Sequence, residues 1–585
     1  MRNYIRLFKI IEKYHKGFIA KAILFSLLMG LLPLFNISAP KLIIDEYNGL
    51  RRLDLMFVYT ALALILNFAH QLISQYADNY YQRTLQIFND EIVFEVNSKV
   101  LSLPIELTDT KSTQDKIEQA LYAAYSTYSL LEFMAFASGA VAASIFSIFV
   151  LIKLNPLIPL AIIVLALLNK PLTNVIKKNE KKYQENSAKE TRIYSFYFDF
   201  AKDYKYSKDI KIFNGENMIL EKAKYHLNQM YLVNHKYFTK NGAMLGLMNI
   251  INNLGVVGSF VYLVKKVLEK SLTIANFTLY FNCLNKLIDG LRIFQEYYSD
   301  LAGLNVALNT MYEFLDIDEN WNTGQIKNID LSRVKIEFKD VSFKYPTSEE
   351  YILQNCSFVI NPGETVALVG RNGAGKSTIV KLLCKFYEPT SGEILLNGIN
   401  IRDIDTKYYY QILSPTFQDF RLFPFRIDEN VASKNQADIT NENYKEMDMS
   451  FALLNLDKWI NSLPKGKNNY LTNLFDKEGV NPSGGIGQKL ALARSMYHKG
   501  KFIIMDEPTS ALDPRSEQEI FENMLAITKD QTSLFISHRL SSTKYADRIL
   551  VCNNGHIDEM GSHEELLKEN KLYKEMYTIQ AELYA

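Results

Sequence analysis

The sequence predicts a multidomain membrane protein: a six-helix all-α transmembrane half, then an α/β half of the P-loop kind. Three observations carry this. Long apolar runs crowd the chain before residue 294 and are almost absent after it. Residues 370–378 read GRNGAGKST and fit the phosphate-cradling pattern G-x-x-x-x-G-K-[ST]. From residue 334 onward, short β-rich runs alternate with helical ones, the pattern of a largely parallel sheet covered by helices.

Composition narrows the function. At 585 residues the chain is too long for one core. Lys and Arg number 65 against 64 Asp and Glu, so the basic bias of a nucleic-acid binder is missing. Cys283, Cys356, Cys384 and Cys552 lie too far apart for a metal-ligand spacing and read as free thiols of a reducing compartment.

Residues 1–16 have the pattern of an amphipathic helix, with Tyr4, Leu7, Phe8 and Ile11 on one face and most basic residues elsewhere. Such a helix is expected to lie on a membrane surface. The chain starts directly on it, so no peptidase domain is expected before it. Six apolar runs follow, near residues 18–42, 55–76, 130–154, 157–172, 243–264 and 274–294. Most reach the ~20 residues that span a bilayer. The fourth is short and has Pro156, Pro159 and Pro171 in or beside it. The loops at 77–129 and 173–241 are long and helical in period, so helices are expected to extend well past the membrane on one side. Lys177, Lys178, Lys181, Lys182 and Lys189 place the second of these inside.

Run six contains Lys286 and Asp289. Other polar residues in the runs are Asn36, Asn67, His70, Gln71, Asn252, Asn253 and Asn282. They fit a solute pathway or hydrogen bonds between helices, and the sequence leaves both open.

The expected division is an N-terminal surface helix at 1–16, a transmembrane domain at 17–311, a polar linker at 312–333 and a nucleotide-binding domain at 334–585. In the last of these, the apolar run 365–369 reads as a buried strand leading into the cradle, and a helical pattern follows it. In such a loop Gly370, Arg371, Asn372, Gly373, Ala374 and Gly375 supply main-chain N–H groups to a phosphate. Lys376 reaches the outer phosphates, the Ser377 hydroxyl holds Mg²⁺, and Thr378 completes the nucleotide-binding stretch. A second apolar run, 502–505, ends in Asp506 and Glu507. Two carboxylates at a strand tip suit a metal and a water-activating base, with Asp506 at the Mg²⁺ and Glu507 facing the water. Two turn signals, Asn397-Gly398 and Asn554-Gly555, sit between apolar flanks and read as hairpins.

With these motifs in place, the chain resembles the ATP-binding cassette (ABC) superfamily. The resemblance spans residues 334–585 by motif and nearly the whole chain by its six-span layout. It implies that Tyr345 stacks on adenine and that Gln418 touches Mg²⁺ and relays to the membrane helices. It implies that His538 holds the γ-phosphate and that Asp513 belongs to the D-loop, Ser510 to Asp513. Where the family signature is usually LSGGQ, this chain reads Pro482-Ser483-Gly484-Gly485-Ile486. Ser483, Gly484 and Gly485 are expected to contact the γ-phosphate on the opposite subunit. Asn481 is expected to cap the helix with Pro482 at its first position, and Ile486 removes a polar side chain.

The resemblance further implies an exporter-type half-transporter, working with ATP and Mg²⁺ as one partner of a homodimer or heterodimer. Its membrane would be the bacterial plasma membrane, with the ATPase domain cytoplasmic. The cargo class implied is a peptide, a lipid or an amphipathic drug-like molecule. The alternative is an ATP-gated channel or a regulatory membrane subunit with weak hydrolysis. Coupling segments are expected near residues 110–118 and 205–215.

Overall fold

The computed structural model describes residues 2–126, 128–202, 204–318, 324–507, 531–537, 539–569 and 571–584. The chain divides into two compact units. One comprises Met1–Ser102 and Ser112–Ile317, and the other Leu103–Lys111 and Asp318–Ala585.

Among the described residues, the regular structure of the first unit is all helical. Its helices are α1 (Arg2–Tyr14), α2 (Phe18–Leu31), α3 (Leu34–Asn48), α4 (Leu53–Ser102), α6 (Lys111–Ser126), α7 (Tyr128–Leu154), α8 (Leu157–Leu168), α9 (Lys170–Lys202), α10 (Tyr204–Ile212), α11 (Glu216–Leu268) and α12 (Ile274–Leu315). The short helix α5 (Ile105–Thr108) belongs to the other unit. All six apolar runs fall on helices. Among the described residues, Phe18–Asn48, Leu53–Ser102, Leu157–Glu180 and Glu216–Leu268 are long and apolar enough to cross a membrane. Gly139–Leu154 is apolar but shorter. The sixth run, on α12, contains Lys286, Asp289 and Arg292.

Run one is not a single helix. It breaks between α2 and α3, where Pro33 precedes Leu34 and lacks the N–H a continuous helix would need. The core of this unit joins Ile37 of α3, Leu151 of α7, Ile162 of α8, Leu263 of α11 and Leu284 and Leu287 of α12.

Two of the polar residues in the runs bond between helices. The Asn169 amide donates to Asn252 Oδ1 at 2.9 Å, and Asn282 Nδ2 donates to the Ile37 carbonyl at 3.5 Å. The α1 stripe is also less free than a purely surface helix. Leu7 and Ile11 are buried in protein, and Arg6 forks onto Asp316 with both contacts at 2.7 Å. Helix α12 runs to Leu315, past the expected start of the linker, because Met311 and Phe314 are fully buried.

The first segment expected to couple, near residues 110–118, lies mostly within a longer helix. Residues 111–118 continue as helix α6, and the short separate helix is α5, just before them. Pro104 caps α5 in an extended conformation and ends the preceding helical path. In the second segment, α10 ends at Ile212 and a turn at Asn214 (φ 51°) leads into α11.

The described residues of the second unit form two sheets. Its strands are β1 (Ile336–Phe343), β2 (Leu353–Ile360), β3 (Thr365–Gly370), β4 (Ser391–Leu396), β5 (Ile399–Asn400), β6 (Leu413–Thr416), β7 (Phe502–Asp506), β8 (Thr532–Ile536), β9 (Arg548–Asn553) and β10 (His556–Gly561). The larger sheet has the order β10-β9-β3-β8-β7-β6 and is parallel except for β10. Its central strands are buried on both faces. Val366 and Leu368 of β3 join one core, while Ala367 and Val369 join the other. The smaller sheet, β2-β1-β4-β5, is antiparallel. The two β-rich runs at 334–338 and 341–345 are one strand, β1, with register shifts between Phe338 and Val341.

Both hairpins form. At β4–β5 the turn residues Asn397 and Gly398 have φ 51° and 82°, and at β9–β10 Asn554 and Gly555 have φ 45° and 83°. Two successive positive φ values give the turn whose twist suits a hairpin. Besides α5, the α-helices among the described residues of this unit are α13 (Lys376–Leu383), α14 (Thr406–Ile412), α15 (Ile427–Ala432), α16 (Asn441–Leu453), α17 (Asp457–Asn461) and α18 (Gly484–His498), followed by His563–Lys568 and Leu572–Tyr584.

Candidate functional site: a phosphate cradle and its strand-tip carboxylates

Buried strand β3 delivers the chain to Gly370, and α13 begins at Lys376. The loop between them needs its glycines. A Cβ on Gly370 would stand 2.1 Å from the Cys552 carbonyl oxygen. Gly375 has φ 104°, and a Cβ there would meet Leu353 Cδ2 at 2.7 Å. The loop is pinned from below by β9. The Ala374 carbonyl accepts from the Cys552 thiol at 2.9 Å and from the Gly555 N–H at 3.2 Å. Burial pushes the Cys552 thiol up to about 11, so it stays protonated as a donor.

Lys376 is buried, and its ammonium folds back onto the loop. Nζ donates to the Gly370 carbonyl at 2.9 Å and to the Arg371 carbonyl at 3.0 Å. Burial lowers its pKa, and the nearby carboxylates Glu507 and Asp506 partly restore it. Arg371 points outward and pairs with Glu575 at 3.1 Å. Asn372 and Ser377 are exposed, while Thr378 is buried.

Asp506 ends β7 and is 5% exposed. Burial and the neighbouring Glu507 raise its carboxyl to about 6, against a hydrogen bond from Ser377 and the charge of Lys376. Its Oδ1 is buried with no hydrogen-bond partner among the described residues. A buried oxygen without a partner, on an acid hydrogen-bonded to Ser377, is what a hard divalent cation would satisfy. The donor set therefore fits Mg²⁺, with Asp506 and Ser377 holding it; when bound it would neutralise phosphate charge.

Glu507 follows with φ 48°, in the left-handed region. Gln418 Nε2 donates to its Oε2 at 2.8 Å, so the structure brings together two residues far apart in sequence. Tyr345 sits beside the cradle. Its ring packs edge-on against Phe343 (5.0 Å) and Tyr387 (5.2 Å), and its hydroxyl lies 3.3 Å from Thr378 Oγ1.

At the signature, the cap differs from the expectation. Ser483, not Asn481, is the N-cap of α18, and its hydroxyl accepts from the Ile486 N–H at 3.5 Å. Pro482 therefore lies outside the helix and removes no helical donor. Gly484 and Gly485 form the first helical positions. His538 and Asp513 lie outside the described residues.

Sequence reasoning missed three neighbours of the site: Cys552, Tyr387 and Gln488. No spacing marks a thiol that bonds a loop from a distant strand. Tyr387 donates to Asp109 at 2.8 Å. Gln488 donates to the Glu507 carbonyl at 3.2 Å.

A nucleotide cradle, two strand-tip carboxylates and membrane-length helices in one chain define a membrane-bound P-loop ATPase. The family model for ABC transporters matches residues 353–510. The subtilin transport ATP-binding protein SpaT of Bacillus subtilis is 27% identical over 585 residues, covering 98% of this chain and 94% of that one. The ATP-dependent lipid A-core flippase of Haemophilus ducreyi is 34% identical over 378 residues, covering 64% of this chain and 63% of that one. This chain thus spans a little under two thirds of the flippase's length. A solved structure, that of a bacterial Atm1-family ABC exporter with ATP bound, superposes with a TM-score of 0.83 at 24% identity, covering 96% of this chain and 98% of that one. The last likeness is one of fold.

This chain carries an ABC transporter domain at residues 353–510 and, as a whole, resembles exporters that fuse the transmembrane and nucleotide-binding halves. It is an integral membrane protein that binds ATP and couples its hydrolysis to transport.

Proposed function

We propose that this chain is one half of a dimeric exporter that moves an amphipathic cargo out of a bacterial cell across the plasma membrane. The observation that carries the reading is the buried Asp506 Oδ1, without a partner among the described residues, beside the base candidate Glu507 in a chain that also has membrane-length helices. ATP with Mg²⁺ enters the cradle. Gly370 to Gly375 supply N–H groups, Lys376 leaves the loop carbonyls for the outer phosphates, and Tyr345 stacks on the base. Ser377, Asp506 and Gln418 hold the metal. The signature residues Ser483, Gly484 and Gly485 close on the nucleotide of a second half-transporter. Closure follows because ATP binds the closed form better. Glu507 then activates water, His538 steadies the γ-phosphate, and Asp513 belongs to the loop across the seam. The nucleotide-binding unit works on the cytoplasmic side, where ATP is.

A peptide is the favoured cargo, and a lipid or drug-like molecule the next. The relative that aligns over 98% of this chain is named for subtilin transport, whereas the flippase alignment covers 64%. The test is ATP-dependent uptake into inverted vesicles containing the protein. Accumulation of a labelled cationic amphipathic peptide supports the reading. Flip of a labelled lipid without peptide uptake changes the cargo class, and ATP-dependent ion leak without either points to a channel.

A further inference from the structure

Glu507 is held in an unfavourable backbone conformation by bonds from three directions. Its φ of 48° is one that a residue with a side chain adopts at a cost. Its N–H donates to the Ile536 carbonyl at 3.1 Å. Its carboxylate accepts from Gln418 at 2.8 Å, and its main-chain carbonyl accepts from Gln488 Nε2 at 3.2 Å. The third bond comes from α18, the helix that Ser483 opens. Gln488 is 1% exposed, so no water can stand in for its amide. The same helix also touches the loop that bears Gln418. A Cβ on Gly487 would lie 3.4 Å from the ring of Phe420. Base, glutamine loop and signature helix therefore form a closed circuit of contacts.

We propose that Gln488 is a positioning residue that ties the seating of α18 on the partner's nucleotide to the aim of Glu507 at this chain's own nucleotide. The inference rests on the reading that the Ser483 end of α18 engages the partner's nucleotide. A helix moves as a body, with a rise of about 1.5 Å per residue, and Gln488 is less than two turns from its start. A shift at Ser483 is thus delivered to the Glu507 carbonyl. The backbone at a left-handed residue has little freedom to absorb it, so the carboxylate turns. A base displaced by about 1 Å loses on the order of 100-fold in rate. In a symmetric pair, each signature helix would read one site and set the base of the other.

The test uses the full-length protein in lipid vesicles. Gln488→Met keeps the side-chain length and removes the donor. The expected result is a fall in kcat of about 10- to 100-fold with KM for ATP little changed and ATP-dependent pairing retained. In a Glu507→Gln background the same substitution should cause no further fall. A wild-type rate in Gln488→Met overturns the proposal, as do equal falls in both backgrounds, which would mark plain packing. Hydrogen exchange on the wild type gives a second measurement that depends on no variant. A non-hydrolysable ATP analogue with Mg²⁺ should protect residues 483–489 and 502–507 together, and protection of the first stretch alone overturns the proposal. A wild type that never pairs with ATP sinks the functional reading itself; one that pairs while Gln488→Met turns over normally sinks only this inference.

Discussion

The Lys376 ammonium lies 2.9 Å from the carbonyl oxygen of Gly370, inside the loop that it is expected to leave when phosphate arrives. The main chain thus lends the lysine temporary acceptors. Nucleotide binding exchanges two carbonyl contacts for contacts with charged phosphate oxygens, which are stronger. Lys376→Ala should weaken ATP binding by about 10- to 100-fold, the worth of one or two charge-assisted hydrogen bonds. Fluorescent nucleotide titration of the purified protein measures this, and unchanged affinity would remove the lysine from the site.

Glu507→Gln should lower steady-state hydrolysis by about 10²- to 10⁴-fold while leaving ATP binding intact. Phosphate release reports the first quantity and nucleotide titration the second. The amide can still accept the bond from Gln418, so the fold should not suffer. Turnover at the wild-type rate would reject Glu507 as the base.

Asp506 supplies a pH dependence. Its folded pKa of about 6 lies above the ordinary aspartate value, so the protonated form is favoured in the fold. The stabilising term is present at low pH and is lost as pH rises through about 6. Mg²⁺ needs the ionised form. Apparent Mg²⁺ affinity should therefore fall about tenfold for each pH unit below about 6. Mg²⁺ titrations of ATP hydrolysis on either side of that pH would show it, and Asp506→Asn should flatten the profile.

Ser483→Ala removes the N-cap of α18 and should cost about 0.5–2 kcal/mol of stability in addition to any loss of turnover. Pro482→Ala lies outside the helix and should change stability by less than about 0.5 kcal/mol. Thermal unfolding of both variants separates the two. Equal destabilisation would mean that the cap sits elsewhere.

Glu106, on α5, carries a burial penalty. Burial and the nearby Glu388 raise its pKa, and its Oε2 is buried without a hydrogen-bond partner among the described residues. A raised folded pKa gives a stabilising term below the unfolded value of about 4 that is lost as pH rises. Glu106→Gln should therefore raise the unfolding temperature at neutral pH and leave it unchanged in acid. A lower temperature at neutral pH would contradict this.

The cradle was legible because its chemistry is local. Gly370, Gly375, Lys376 and Ser377 lie within one strand–loop–helix, and their spacing alone dictates the geometry. Asp506 and Glu507 were legible because an apolar strand ends in charge. The cap of α18 was misplaced by two residues, since Asn481 and Ser483 are both good caps and only the backbone at Ser483 decides between them. The break between α2 and α3 was hidden in a continuous apolar run, with Pro33 as its one signal. What the sequence could not display were contacts between distant segments, such as Cys552 with Ala374, Gln418 with Glu507 and Gln488 with Glu507. No periodicity records those.

The assignment of Leu103–Lys111 to the nucleotide-binding unit has a practical consequence for anyone who would cut this polypeptide. A fragment begun at the linker would leave behind the carboxylate that receives the Tyr387 hydroxyl and the apolar side chain of Leu103, which is 7% exposed in the intact chain. Such a truncation would present a raw surface next to the ring that packs on Tyr345, and would be prone to clump. Adding residues 103–111 back as a synthetic peptide is the natural remedy.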